Sequence, residues 1–475
     1  MWSSLPSFSV IYPEALLVTV ASAMVLMDRF VREKMVFVWM SLGGIGLALF
    51  LTLTTAGSSF GEVYSADPYS LFFRLVFLLV LALVVLLSPG YTREQGINFG
   101  EYYGMIFFAA VGMTILASAR DLLLVYLGIE LMSLSIYVLV AFLYPDLRSL
   151  EGALKYFLLG CFASAFLLLA IAFVYGLTTT TALDLIAQRL TGADGLDRSL
   201  LFVMALFTVA LGFKIAAIPF HMWAPDAYEG APTSVTAFMS VGPKAAAFAA
   251  LGRIFMTAFF PARADWVEIL IPLAMLTMIG GALMALVQTN IKRLLAYSSI
   301  ANAGCALLGV IAGTENGLAA LMAFLFIYAL MTLGVFGIVL LVSRRQGQGE
   351  SIFDYQGLAK THPWAAFLML IFLFSLGGIP PTAGFVGKFY LFKVAFEAGY
   401  VALVVMAALT SIVGAYPYVR IVLLMYMKEP EGDIPLNSTA YLVAGLTISL
   451  AGVLVFGLWP APLIDFARSC VFALP

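Results

Sequence analysis

Glu130, Lys214, Lys244 and Lys388 are the residues of this sequence best placed to do chemistry, because each stands deep in an apolar run. Glu130 carries the only charge in LLLVYLGIELMSLSIYVLV; Lys214 lies in LGFKIAAIPF, Lys244 in SVGPKAAAF and Lys388 in GFVGKFY. A charge near the middle of a membrane helix costs about 2.5–3.5 kcal/mol on insertion scales, and such residues usually face the bundle interior and mark ion or proton pathways. Burial favours a neutral amine, and a nearby carboxylate favours the ammonium. A buried lysine whose neighbour changes charge can therefore take up and release a proton. Glu130 with Lys214, then Lys244, then Lys388 is the inventory of a proton relay. His221, shortly after Lys214, titrates near neutrality in solution and could bridge a gap. Lys155, four residues after Glu151, fits a connecting role and a snorkelling one equally.

Two of the lysines adjoin helix breakers. LGFKIAAIPFHMWAPDAYEGAPT (211–233) and SLGGIPPTAGFVGKFY (375–390) each combine an apolar run with proline and lysine. Proline removes an amide donor and clashes with the preceding turn. The freed backbone groups must then face protein or water. Two such breaks in corresponding halves predict an internal repeat with an ion path at the interruptions.

The elements that carry these residues follow from composition. Of 475 residues, 63% are hydrophobic and 11% charged, with a mean hydropathy of +1.05. Runs of roughly 20 apolar residues, long enough to cross a bilayer as helix, follow one another along the chain. The sequence predicts an all-α polytopic membrane protein of about fourteen spans, at 9–28, 35–56, 69–88, 101–118, 121–143, 151–177, 199–229, 231–259, 265–288, 292–313, 315–343, 364–397, 399–428 and 438–460. The seventh and twelfth are discontinuous. Spans 4–8 and 9–13 form two inverted five-helix repeats, since an odd number of spans reverses the second copy. The expected organisation is an N-terminal three-helix segment (1–100), a first repeat (101–260), a second repeat (264–428) and a C-terminal helix and tail (436–475). TALDLIAQRL in the 178–198 loop reads as a short surface helix.

Loops after odd-numbered spans hold eleven lysines and arginines, Arg148, Lys292, Arg293, Arg344 and Arg345 among them, against five on the opposite side. By the positive-inside rule the termini lie outside. Lys292 and Arg293, which open a span, read as anchors of that kind. Asp226 and Glu229 read as hydrated residues at a span end, and Arg74, Arg253 and Arg420 receive no role. No cationic stretch precedes the first apolar run, so no cleaved leader is expected.

Other chemistries find no footing. The net charge is −2 and no basic block suggests a nucleic-acid partner. Three cysteines without a CxxC and two histidines assemble no metal cage by spacing. GFVGKFY lacks the spacing of a phosphate loop, and no dinucleotide fingerprint occurs.

FKIAAIPFHMWAPDAYEGAPT and NIKRLLAYSSIANAG (290–304) resemble the proton-translocating antiporter-like subunits of respiratory complex I and their Mrp antiporter relatives. The resemblance covers nearly the whole chain. The PFHxWxPDxYEGAPT form, GIELMSL and GIPPTAGFVGKFY are most similar to the N-type subunits of bacterial NADH:quinone oxidoreductase. This resemblance implies a proton-translocating subunit in the cell inner (plasma) membrane, with Glu130 and Lys214 as a glutamate–lysine pair, Lys244 as the central lysine, Lys388 as the lysine of the twelfth helix, and His221 and Lys155 as connecting residues. It implies no cofactor in this chain; NADH, FMN, Fe–S clusters and quinone belong to partner subunits of the redox arm and the membrane arm. The alternative is an Mrp-type cation/proton antiporter subunit without a redox partner.

Overall fold

The computed structural model describes residues 8–191, 198–343, 349–430, 432 and 436–474. The cations Arg344 and Arg345 lie outside them. The helices are α1 (Tyr12–Met27), α2 (Met35–Thr54), α3 (Pro68–Gln95), α4 (Gly100–Ser118), α5 (Leu122–Val140), α6 (Leu147–Thr178), α7 (Leu183–Thr191), α8 (Arg198–Ile215), α9 (Trp223–Gly230), α10 (Thr233–Arg253), α11 (Arg263–Leu286), α12 (Ile291–Ile311), α13 (Glu315–Val342), α14 (Leu358–Thr361), α15 (Pro363–Gly377), α16 (Ala383–Glu397), α17 (Val401–Met427), α18 (Ala440–Leu458) and α19 (Ala461–Ser469). A short antiparallel hairpin, Ser59–Phe60 with Tyr64–Ser65, joins α2 to α3. Among the described residues, twelve helical segments are long and apolar enough to cross a membrane. The spans expected at 199–229 and 364–397 are interrupted, as α8 then α9 and as α15 then α16. The surface helix expected in the 178–198 loop is α7.

The two interruptions are built alike. α8 ends where Ala216 takes a left-handed conformation (φ 59°), and Ala217 N–H returns to Gly212 O at 2.8 Å. α15 ends at Gly378 (φ 76°), with Ile379 N–H on Phe374 O at 2.9 Å. Each closure satisfies carbonyls the helix would otherwise leave open. The glycine adopts this conformation freely, whereas the alanine costs roughly 1–2 kcal/mol. A cis X–Pro bond follows in both, at Ile218–Pro219 and Pro380–Pro381.

Packing is matched as well. α4 lies along α5 as α11 lies along α12, and α6 meets α8 and α9 as α13 meets α15 and α16. Both antiparallel pairs close on small residues. A Cβ on Gly112 would meet Met132 N and Gly128 O across the α4–α5 contact, and one on Gly281 would meet Ala301 N across α11–α12. Small residues are the usual means of close helix approach in a bilayer, where hydrophobicity does not drive helices together.

At one end of the bundle, α3 is pinned by two ion pairs whose arginines the sequence leaves unassigned. Arg253 of α10 grips Asp67, the N-cap of α3, through two bonds of 2.7 and 2.8 Å. Arg74 of α3 meets Glu14 of α1 at 3.0 Å and donates to Tyr64 Oη at 2.6 Å. Burial alone would raise the Asp67 carboxyl, but Arg253 and the capped amide of Ser70 outweigh it and hold it below the usual carboxylate range. The stabilisation is therefore present above about pH 4 and is lost as pH falls through the folded value. Asp67→Asn is expected to lower the thermal midpoint of detergent-solubilised protein at neutral pH. The difference from the parent shrinks in melts run progressively below about pH 4.

Candidate proton-relay site

Three lysines occupy the interior with no carboxylate within ion-pair distance among the described residues. Lys214, Lys244 and Lys388 are 5%, 3% and 8% exposed. Lys214, in the last turn of α8, donates to Ser133 Oγ of α5 at 2.8 Å and lies over the rings of Phe213 and Tyr137. Lys244 sits inside α10 rather than at a helix end; it donates to Ser299 Oγ of α12 and lies 5.6 Å from the Tyr228 ring centroid. Lys388, on α16, reaches back across the break to Leu376 O in the last turn of α15, at 2.8 Å. Lys214 and Lys388 thus both stand at the carbonyl end of an interrupted half-helix, where a cation is favoured.

Glu130 and Lys214 do not form the contact pair that the sequence suggests. The Glu130 carboxylate accepts from Ser164 Oγ of α6, while Lys214 is held by Ser133, three residues along α5 from Glu130. Positions i and i+3 share a helix face, so two hydroxyls on neighbouring helices separate the charges while keeping them in one region. His221 lies in the first break, with Tyr297 of α12 at 6.5 Å between ring centroids; it bonds to neither Lys214 nor Lys244. Lys155 is partly exposed and bridges Glu151 (2.6 Å) and Asp226 (2.7 Å).

Lys244 and Lys388 are joined by one face of α12. Lys244, Ser299, Asn302 and Tyr328 line a cavity of about 10 Å³. Asn302 also lines a second, of about 20 Å³, with Lys388, Ser298, Cys305, Ser411 and Tyr418. Each is the size of about one water molecule. Ser298 bonds Tyr418, and Asn302 donates to Ser298 O at 2.9 Å. No side-chain hydrogen bond joins Lys214 to Lys244, although α8 and α10 pack directly. A larger groove of about 920 Å³, near Tyr91, Asp146 and Arg148, touches none of the deep lysines.

The sequence model of a family described as NADH:quinone oxidoreductase/Mrp antiporter, TM, matches residues 119–414, which contain Glu130, Lys155, Lys214, His221, Lys244 and Lys388. The chain belongs to this family. Among its curated relatives are NADH-quinone oxidoreductase subunit N 2 of Rhizobium meliloti, 46% identical over 97% of each chain, and NADH-quinone oxidoreductase subunit N of Trichlorobacter lovleyi, 43% identical over 98% of this chain and 97% of the relative. A chain of respiratory complex I from Thermus thermophilus superposes with a TM-score of 0.83 at 34% identity, covering 96% of this chain and 99% of its own. A chain of the Mrp complex from Dietzia sp. reaches 0.82 at 21% identity over 98% and 97%, a likeness of fold.

Within this antiporter-family fold the buried cations fall into two groups. Arg74, Arg253 and Lys292 each meet a carboxylate, at 3.0, 2.7 and 2.7 Å. Lys214, Lys244 and Lys388 instead rest on neutral oxygens. Paired charges hold helices together. An ammonium held by a hydroxyl or carbonyl keeps no carboxylate in direct contact, so it is not locked into an ion pair. Lys292 is accordingly not a surface anchor: it is buried and bound to Glu350. The hydroxyls of Ser133, Ser164 and Ser299 and the amide of Asn302 escape sequence reasoning. Their one signal is small polar residues interrupting apolar helices, clearest in SSIAN (298–302).

Proposed function

We propose that this chain is the N-type antiporter-like membrane-arm subunit of an NADH:quinone oxidoreductase and moves protons through Glu130, Lys214, Lys244 and Lys388. Its subunit-N relatives at 43–46% identity over almost the whole chain support the assembly. The observation that carries the mechanism is the three interior lysines bonded to neutral oxygens alone. Glu130 with Lys214 takes up the proton, Lys244 passes it along the midplane, and Lys388 delivers it. Lys155 and His221 serve the entry side. Electron transfer, with NADH, FMN, Fe–S clusters and quinone, takes place on partner subunits. The matched breaks support two inverted repeats at 101–260 and 264–428, flanked by 1–100 and 436–475. The bias of lysine and arginine toward one set of loops supports both termini on the outer side of the inner membrane.

The test uses inverted vesicles from cells whose complex carries Lys214→Ala, with electron transfer and the pH gradient recorded together. Both are expected to fall about tenfold or more per assembled complex, as for loss of an essential transfer step. Survival of both, with loss only of sodium-triggered gradient dissipation, would instead identify an Mrp-type antiporter subunit.

A further inference from the structure

We infer that Arg293 is a positioning residue that ties α9, the second half of the first interrupted helix, to the helix serving the other two lysines. The inference rests on the proton-translocating reading above. Arg293 is the third residue of α12, and its Nη1 meets Asp226 Oδ1 at 2.7 Å and Glu229 Oε2 at 2.8 Å. Asp226 and Glu229 lie one turn apart on α9, the half-helix after the break. Asp226 uses its other oxygen to hold Lys155 of α6 at 2.7 Å. Next to Arg293, Lys292 donates to Ala231 O, just beyond the end of α9, at 3.2 Å, and bridges Glu350, which meets Arg148 of α6 at 3.4 Å. The first turn of α12 therefore holds α9 by its side chains and by the carbonyl just past its end.

Among the described residues, the ion pairs that join the 101–260 and 264–428 segments are all here: Arg293 with Asp226 and Glu229, and Arg148 with Glu350. Their location decides what they position. α12 is unbroken from Arg293 to Ser299, the partner of Lys244, and on to Asn302, which lines the cavities of both Lys244 and Lys388. A continuous helix is a rigid element, so the position of α9 and that of the Ser299–Asn302 face are set together through Arg293. Arg293 suits this task because one guanidinium grips two carboxylates on successive turns. Sequence reasoning sets these residues aside as anchors and hydrated ends, since the contacts span 64 and 67 residues of chain.

The experiment places Arg293→Gln, Asp226→Asn, the double variant and Arg293→Lys in the complete complex, with Lys214→Ala as reference. Electron transfer and proton translocation are read in inverted vesicles and divided by the amount of assembled complex. Arg293→Gln, Asp226→Asn and the double variant are each expected to lower turnover per complex about fivefold, the double no further than the singles, and Arg293→Lys to recover a substantial part. A contact that only holds the fold together would reduce the amount of complex and leave turnover per complex unchanged. Unchanged turnover in Arg293→Gln, or losses that multiply in the double variant, overturns the inference while Lys214→Ala remains inactive. If Lys214→Ala also pumps normally, the relay reading itself falls.

Discussion

Lys244→Arg is expected to stop proton transfer as completely as Lys244→Ala, lowering turnover per assembled complex by at least about tenfold. The two substitutions differ in charge, not in outcome. Lys244 rests on Ser299 and the Tyr228 ring, with no carboxylate alongside. If its task were to supply a fixed positive charge, arginine would preserve it, because a guanidinium stays protonated in proteins. If its task is to pass a proton on, arginine fails for the same reason. The cavity beside Lys244 is only about 10 Å³, so the bulkier group also strains its surroundings. Blue-native gels of both variants therefore accompany the vesicle assay. Pumping retained by Lys244→Arg and lost by Lys244→Ala would assign Lys244 an electrostatic role and remove it from the relay.

Gly384→Ala is expected to reduce the amount of assembled complex several-fold, with normal turnover in whatever assembles. α16 begins against the last turn of α15: Gly384 N–H donates to Ser375 Oγ at 3.0 Å, and a Cβ on Gly384 would be driven into Ser375 O. A backbone oxygen in a helix cannot step aside as a side chain can. Overpacking of this sort costs about 1–3 kcal/mol, and losses of about 1–2 kcal/mol change the abundance of a protein in cells several-fold by exposing it to degradation. Quantitative blotting of membranes, paired with turnover of the purified fraction, checks it. Wild-type levels of Gly384→Ala would show that the two half-helices can separate without loss.

What the sequence makes legible is depth along the membrane normal. Apolar run length locates Glu130, Lys214, Lys244 and Lys388 far from any water-facing loop, and proline with glycine locates the breaks, because both signals are local. Azimuth is another matter. Whether Glu130 points at Lys214 depends on the rotation of α5 against α6 and α8, and helices in this chain are apolar on nearly every side. The carboxylate therefore goes to Ser164 and the ammonium to Ser133. Arg253 illustrates the same limit: its partner Asp67 lies 186 residues away, and nothing near either residue announces the other. The resemblance of the quoted motifs carries family membership; the sorting of cations into paired and unpaired needs coordinates.

The bond between Lys244 and Ser299 has a consequence for how the protein is made. Its two ends lie 55 residues apart, on opposite sides of the boundary between the proposed repeats. A ribosome delivers α10 to the membrane before α12 exists. Lys244 must enter the bilayer and wait, without its hydroxyl, while α11 is threaded in. α9 waits likewise for Arg293. However symmetrical the two halves look, neither is a finished device at the moment of its birth: the first is completed by a helix of the second, and insertion order leaves it briefly dependent on whatever else in the membrane can shelter an amine.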